Sequence, residues 1–478
     1  MFFEKFLRKY TMKSIKIPSV LKKMDEIFET NGFEAYLVGG AVRDELMGKP
    51  ASDWDVTTNA KPEDVMRIFH KVIPTGIAHG TVTVHLLGKE IEVTTYRCDI
   101  GYSDGRHPDS VSFDATLEDD LSRRDFTMNA IAASLKDGSI VDPFRGRDDI
   151  KAKVIRTVGC AKERFLEDGL RPVRALRFSA QLGFSIDKET FSAISDFDVQ
   201  KKISGISMER FRDEFSKLLS SDEPSIGLHF MEDTGILKMF IPELAECRGI
   251  MQADARSFHE FDVLDHCIYA CDGAPKGNLV VRTAMLFHDI GKKKAKTVEK
   301  TEYPKGSGQF VDIIHFHRHE LYSSEAVVPI LTRLKFPNAF IDRVSHLILN
   351  HMTFFNDKWS DAAVRRFIVR IKPECIDDIF EVWKADIFGK HRVGIVPGSQ
   401  TAENMILLRE RIQAIEESQS ALSLKDMKVN GKDLMAIGIP AGKRIGQILQ
   451  ELFQCVLDDP EMNDREKLLE VARRINGK

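Results

Sequence analysis

The sequence predicts an α+β protein, a small mixed α/β head followed by a long all-helical body. Strand-type alternation is confined to the first part of the chain, as in TVTVHLL and EIEVTTYR. Helical spacing takes over after about residue 155 and continues to the end. At 478 residues the chain is also too long for one ordinary core, so several domains are expected.

The head elements follow in order. LKKMDEIFETNG has helical spacing and stops at Asn31-Gly32. AYLVGG is a short buried-strand run that breaks at two glycines, after which VRDELMG resumes helical spacing. TVTVHLL, EIEVTTYR, SVSF and SIVDPF, the last after a Lys-Asp-Gly turn, read as strands. Beyond them ERFLEDGL, RALRFSAQLGF, ETFSAISDF and MERFRDEFSKLL read as helices. KTVEKTEYPKGSGQFVDI, rich in Gly, Pro and Lys, reads as a loop inserted in the helical region. A second loose stretch, KHRVGIVPGSQ, precedes the long helix TAENMILLRERIQAIEES.

Composition narrows the class. The chain is 43% hydrophobic and 30% charged, as in soluble globular proteins. No run approaches the roughly 18 uncharged apolar residues of a membrane span. The N-terminus, MFFEKFLRKYTMKSIKIP, is basic and amphipathic but lacks the apolar core of a secretory signal, so it reads as a frayed first helix. The seven cysteines are scattered, and Cys267 and Cys271 stand i,i+4 like buried thiols, which points to a reducing cytoplasm. A net charge of −4 excludes a protein that coats nucleic acid everywhere, but not one with a local basic groove.

The chemistry begins at LVGGAVRDELMGKPASDWDVTTNA. Gly39 and Gly40 lack Cβ atoms and let backbone N–H groups approach a ligand. The helix that follows offers its N-terminus to a triphosphate, and Arg43 in its first turn adds a guanidinium. Asp53 and Asp55 are i and i+2, which in an extended segment face one side. Two such carboxylates repel and raise each other's pKa unless a cation lies between them, and a hard dication such as Mg²⁺ suits them. Glu92, on a later strand, supplies a third carboxylate. The set is what two-metal phosphoryl transfer needs, with one ion activating a 3′-hydroxyl and the other neutralising pyrophosphate.

These residues resemble the class II tRNA nucleotidyltransferases (CCA-adding enzymes) and the related bacterial poly(A) polymerases. The ordered motifs are LVGGAVRDELMGKPASDWDVTT, GIAHGTVTVHLLGKEIEVTTYR, RRDFTMNAIA with DPFRGRDDI, RFLEDGLRPVRALRFSAQLGF and VNGKDLMAIGIPAGKRIGQILQELF. The resemblance implies a DNA polymerase β-like head over residues 1–155, a base-recognising neck over 156–220, a helical body over 221–395 and a tRNA-binding tail over 396–478. It implies that Gly39, Gly40 and Arg43 face the triphosphate, that Asp53 and Asp55 hold metal with Glu92, and that Arg124 and Asp125 contact the nucleotide. Residues 96–113 resemble the family's flexible loop, which helps the site switch between C and A.

Asp168 and Arg171 in the neck stand i,i+3, so on one helix they would share a face. Arginine can donate to N3 and O2 of cytosine or to N1 of adenine, and aspartate can accept from either exocyclic amine. Uracil and guanine put a carbonyl there, acceptor against acceptor. The family assigns this motif the same role. Arg174 continues the Arg171 face toward triphosphate or base, while Arg177 reads as structural. Gly169 stands where the family commonly has proline, and Pro172 follows Arg171. Proline is comfortable only in a first turn, so the helix either starts late or kinks here.

A second constellation lies in the body. HEFDVLDHCIYACD, AMLFHDIGKKK and FHRHELYSSEAV resemble an HD phosphohydrolase domain, which implies His266, His288, Asp289 and His319 as metal ligands, with Asp386 and His351 as further candidates. Such a set suits Ni²⁺, Mn²⁺ or Fe²⁺, or a weaker Mg²⁺. It would add phosphatase or 2′,3′-cyclic phosphodiesterase activity. Which of His315, His317 and His319 faces inward is open. Lys428, Lys432, Lys443 and Arg444 stud the tail and could hold RNA phosphates.

The expected function is therefore addition of C, C and A to tRNA from CTP and ATP, by a cytoplasmic monomer or homodimer. The alternatives are a poly(A) or A-only enzyme, or an HD phosphohydrolase with a degenerate head.

Overall fold

The computed structural model describes residues 14–51, 53–100, 110–256, 260–353, 355–418 and 421–477. The chain forms two compact units, Met1–Pro242 and Glu243–Lys478. The expected frayed helix at the N-terminus falls largely outside the described residues, as does most of the 96–113 loop.

The first unit is built on a seven-stranded sheet. Its strands are β1 (Ala35–Val38), β2 (Asp55–Thr58), β3 (Val72–Gly76), β4 (Thr81–Leu86), β5 (Lys89–Thr95), β8 (Ala132–Ser134) and β9 (Ile140–Val141). A separate ribbon pairs β6 (Cys98–Ile100) with β7 (Ser110–Ser112). The sheet order is β3-β4-β5-β2-β1-β8-β9. Its pairings are antiparallel except that of β2 with β5, which sets Asp55 opposite Glu92 and Val56 opposite Val93. Alternation does the rest: Ile91, Val93 and Thr95 turn into the core, and Glu92 turns away from it. The helix Ser19–Thr30 buries Val20, Leu21, Met24 and Phe28 along one stripe.

Helices follow, including Ala161–Glu167, Leu170–Leu182 and Met208–Leu219. The last is amphipathic and buries Phe211, Phe215, Leu218 and Leu219, with Phe211 stacked on Phe240.

In the second unit five helices pack into one core: Val263–Gly273, Leu279–Phe287, His319–Arg333, Asn338–Asn350 and Ile376–His391. Helices Lys443–Asp458 and Arg465–Asn476 bury a second cluster around Leu452, Phe453, Val456 and Leu468. The segment read as a loop is instead a β-hairpin, β10 (Lys296–Glu302) paired with β11 (Phe310–Phe316) through seven residue pairs. The turn chemistry is confined to the tip, where Gly306 and Gly308 take φ of 86° and 71°, and it masked the strand character of the arms. Among the described residues no helix is long and apolar enough to cross a membrane.

Candidate active site and a second buried cluster

A cleft of about 350 Å³ in the first unit is walled by both the sheet and the helices after it. Asp55 and Glu92 enter from the sheet, Arg124 and Asp125 from the turn after the helix Leu117–Ser122, and Asp168, Arg171 and Arg174 from the neck. Seven of the residues anticipated from sequence therefore meet in one cavity. Gly39, Gly40, Arg43 and Asp53 do not line it.

The electrostatics at the sheet wall favour a cation. Burial pushes the Asp55 carboxyl up, and neighbouring Asp53 adds to this against the pull of Arg124. Burial also raises Glu92, and Asp55 reinforces it. Two oxygen donors set side by side and destabilised as anions fit a hard dication. Asp53 sits in an exposed bend just before β2, close enough to act on Asp55. Gly39, at φ 71°, lies directly behind: a Cβ there would stand 3.1 Å from Arg124 Nη1 and 3.7 Å from Asp55 Oδ2.

Arg43 departs from expectation. Its guanidinium is buried, donating to Asn129 Oδ1 at 2.9 Å and Asp44 Oδ1 at 2.9 Å, and it lies 5.2 Å from the Phe178 ring. It ties the helix Gly40–Leu46 to the Asn129 turn. Arg124 reaches the fully buried Asp120 at 3.4 Å, and Arg123 reaches the same carboxylate at 2.6 Å.

The helices around Asp168 decide between the late start and the kink. Helix Ala161–Glu167 ends at Asp168, whose backbone is extended (φ −144°, ψ 111°), and a new helix starts at Leu170. Pro172 is then the third helical residue, where a missing N–H costs nothing because first-turn donors lack intrahelical partners. The late start, not a kink, is how the chain accommodates it. Asp168 and Arg171 are consequently not on one helical face, although both reach the cleft. Asp168 Oδ1 accepts from Leu170 N–H at 3.0 Å and Oδ2 from Arg210 Nη2 at 2.7 Å. Arg171 donates to Glu167, to Arg164 O at 2.9 Å and to Arg123 O at 3.0 Å.

Gly169 is explained by close approach: a Cβ would meet Lys202 O at 2.5 Å and Lys202 C at 2.7 Å. Deeper in, Arg174 donates to Asp125 Oδ2 at 2.8 Å and reaches Glu214 at 3.5 Å. Burial alone would raise Asp125, but Arg174 and Asn129 outweigh it and hold the carboxyl down to about 2. Arg177 pairs with Glu214 at 2.5 Å over the Phe178 ring and is buried, as a structural residue should be. The sequence reading missed Arg123, Arg210 and Glu214, which look like ordinary surface charges until the helices pack.

In the second unit, His266, His288, Asp289, His319, His351 and Asp386 converge from five helices or their ends. His319 is the inward member of its triplet, while His315 and His317 stack on each other in and beside the hairpin. His266 and His288 approach Nε2 to Nε2 at 3.0 Å, and His319 and His351 at 3.2 Å. One Asp289 oxygen faces His266 at 3.3 Å and His288 at 3.2 Å; the other faces His319 at 3.2 Å and His351 at 3.8 Å. Asp386 lies 3.2 Å from His266 and 3.4 Å from His288.

Tautomers sharpen this arrangement. The Nδ1 atoms of His288, His319 and His351 each stand 2.7 Å from a backbone carbonyl, which only accepts. Those Nδ1 atoms therefore carry hydrogens, and in the neutral rings the Nε2 lone pairs point at one another and at carboxylates. Acceptors facing acceptors require a positive charge between them. Lys292 and Lys390 supply some, at 2.5 Å from Asp289 and 2.9 Å from Asp386. Imidazoles and carboxylates set this way are a donor set for a transition metal.

The fold and cleft define a nucleotidyltransferase, and comparison with known proteins agrees. Residues 35–156 match the Poly A polymerase head domain. Residues 183–248 match the probable RNA and SrmB-binding site of polymerase A, and residues 319–472 match tRNA nucleotidyltransferase domain 2 (putative). The chain belongs to the CCA-adding enzyme family. It is 33% identical over 457 residues to the CCA-adding enzyme of Lactobacillus johnsonii, covering 94% of this chain and 95% of that protein. With the CCA-adding enzyme of Latilactobacillus sakei it is 48% identical over 221 residues, 46% of this chain and 55% of that protein. Among solved structures, the Bacillus stearothermophilus CCA-adding enzyme in complex with CTP matches with a TM-score of 0.71 at 28% identity, covering 96% and 97% of the two chains. The Thermotoga maritima CCA-adding enzyme complexed with tRNA shares the fold, with a TM-score of 0.54 at 17% identity over 98% of both chains.

Two outcomes follow from this geometry. Gly169→Ala should cost about 1–3 kcal/mol of stability, because the new methyl meets backbone rather than a yielding side chain; thermal unfolding checks it, and an unchanged midpoint refutes it. In buffer without divalent ions at neutral pH, Asp55→Asn should raise the unfolding temperature. A carboxyl raised in the fold carries its full penalty above the folded pKa and loses it as pH falls from there to the lower unfolded value, so the gain should shrink across that window. Calorimetry across pH reads both signs.

Proposed function

We propose that this chain adds C, C and A to the 3′ end of tRNA from CTP and ATP, without a nucleic-acid template. One observation carries the reading: the Asp55–Glu92 pairing opens into the same cleft as Asp168 and Arg171, so carboxylates suited to phosphoryl transfer share a cavity with a base-reading pair. Family membership supports tRNA as the acceptor. Residues 1–155 act as the catalytic head, 156–220 as the neck, 221–395 as the body and 396–478 as the tRNA-binding tail. No disulfide is formed among the described residues, which fits a reducing cytoplasm.

In this reading Asp53, Asp55 and Glu92 hold Mg²⁺. Two such ions held there would supply the chemistry of two-metal phosphoryl transfer, one activating the 3′-hydroxyl and the other neutralising pyrophosphate. Arg124 faces the phosphates with its charge, and Asp125 orients Arg174 toward the nucleotide. Gly39 and Gly40 keep the backbone behind the carboxylates slim, and Arg43 supports the wall. Asp168 accepts the exocyclic amine of cytosine or adenine while Arg171 donates to the ring, and uracil and guanine leave buried acceptors unpaired.

The His/Asp cluster favours a second activity in the same chain. Its lone-pair convergence supports a divalent transition-metal site, held by His266, His288, Asp289, His319 and Asp386 with His351, that hydrolyses phosphate esters at RNA ends.

The test is extension of tRNA lacking its CCA end with CTP, ATP or both. CCA addition is expected. A long A tail, or A without C, would overturn the reading in favour of a poly(A) or A-only enzyme. Asp55→Ala should reduce extension at least about a thousandfold. His288→Ala should leave extension within about twofold while removing tightly bound transition metal measured by mass spectrometry on the full chain. Equal metal content in wild type and variant would refute the second activity.

A further inference from the structure

The orientation of Asp168 is not set by a helix. It lies in the break between two helices with extended backbone, so its side chain takes its direction from its partners. Those partners are the Leu170 N–H on one oxygen and the Arg210 guanidinium on the other, and the charge-assisted contact at 2.7 Å is the stronger of the two. Arg171 does not hold it: its hydrogen bonds run to Glu167, Arg164 O and Arg123 O, and none to Asp168.

Arg210 projects from a rigid base. Its neighbour Phe211 is fully buried and stacked on Phe240, with ring centroids 3.9 Å apart. Glu214, one turn further along the same face, engages Arg174 and Arg177. Helix Met208–Leu219 thus meets the anion of the preceding helices with a cation, and their cations with an anion. Arg210 also lies in the wall of the cleft that holds Asp55 and Glu92.

We propose that Arg210 is a positioning residue for nucleotide selectivity, holding the Asp168 carboxylate in the orientation that accepts a base amine. The inference rests on the reading of Asp168 and Arg171 as the base-reading pair. A carboxylate oxygen has two lone pairs. Arg210 occupies one on Oδ2 and leaves the other to receive the amine of cytosine or adenine. Without Arg210 only the Leu170 N–H restrains the side chain, and an acceptor free to turn aside no longer opposes the carbonyl of uracil or guanine. The loss should therefore fall on discrimination, not on the chemical step.

The experiment measures kcat/KM for each of the four nucleoside triphosphates with tRNA acceptors, in wild type, Arg210→Ala, Arg210→Lys and Asp168→Asn. Arg210→Ala should lower the C-over-U and A-over-G ratios by about tenfold or more, raise KM for CTP and ATP, and leave kcat within about threefold. Arg210→Lys, which keeps one charged donor, should recover part of the ratio. Asp168→Asn, which presents an amide donor in place of an acceptor, should collapse it. If Asp168→Asn collapses selectivity and Arg210→Ala leaves it within twofold, the positioning role is overturned while base reading stands. If Asp168→Asn leaves selectivity intact, base reading itself falls and the inference falls with it. A uniform rise in KM for all four nucleotides with unchanged ratios would also overturn it, assigning Arg210 to phosphate binding.

Discussion

The parallel pairing of β2 with β5 is the constraint on which the first unit depends. It is the one parallel ladder in an otherwise antiparallel sheet, and it sets Asp55 opposite Glu92 residue for residue. Because side chains alternate across a strand, a slip of one residue would turn Glu92 into the apolar core and Val93 into the cleft. The burial of Ile91, Val93 and Val56 therefore enforces the register that brings two unfavourable carboxylates together. Hydrophobic packing holds the site against its own electrostatics, a conflict that a dication would relieve.

The neck solves a different problem with charge. Asp125, Arg177 and Glu214 are buried and Arg174 is half-buried, and isolated charges there would be costly. They instead alternate in sign, so that each removed from water finds an opposite partner within hydrogen-bond range. Asp168 is paired in the same way with Arg210, and Arg171 with Glu167. Removing one member of such a lattice leaves another uncompensated, which makes its members structurally as well as chemically important.

The second unit uses helix ends as its device. His288 and His351 cap the C-termini of their helices, and His319 opens another. At these ends backbone carbonyls lie within reach of each Nδ1 and fix the tautomer, leaving Nε2 toward the interior. Asp289 presents one oxygen to each pair of rings and so links two halves of the cluster.

Much of this was legible in the sequence. Period-two alternation in TVTVHLL and EIEVTTYR announced strands, and the Gly-Gly break and Asp-x-Asp announced a polar site on a sheet, because these signals are local. The His and Asp residues of the second unit were also recognisable by type and order. What the chain alone left open was decided by contacts distant in sequence. The hairpin at Lys296–Phe316 looked like a loop because its turn residues masked the arms. Arg43 looked like a phosphate ligand but is spent on Asn129, 86 positions away. Asp168 looked helical, yet Pro172 and the tight fit of Gly169 against Lys202 break the helix there. Arg210 gave no signal at all, since a charge on an amphipathic helix acquires meaning only when packing delivers its partner. Residue type and spacing determined which groups were available; the tertiary fold decided which are aimed at the cleft, because register and helix packing are set by burial summed over the whole unit and not by any local motif.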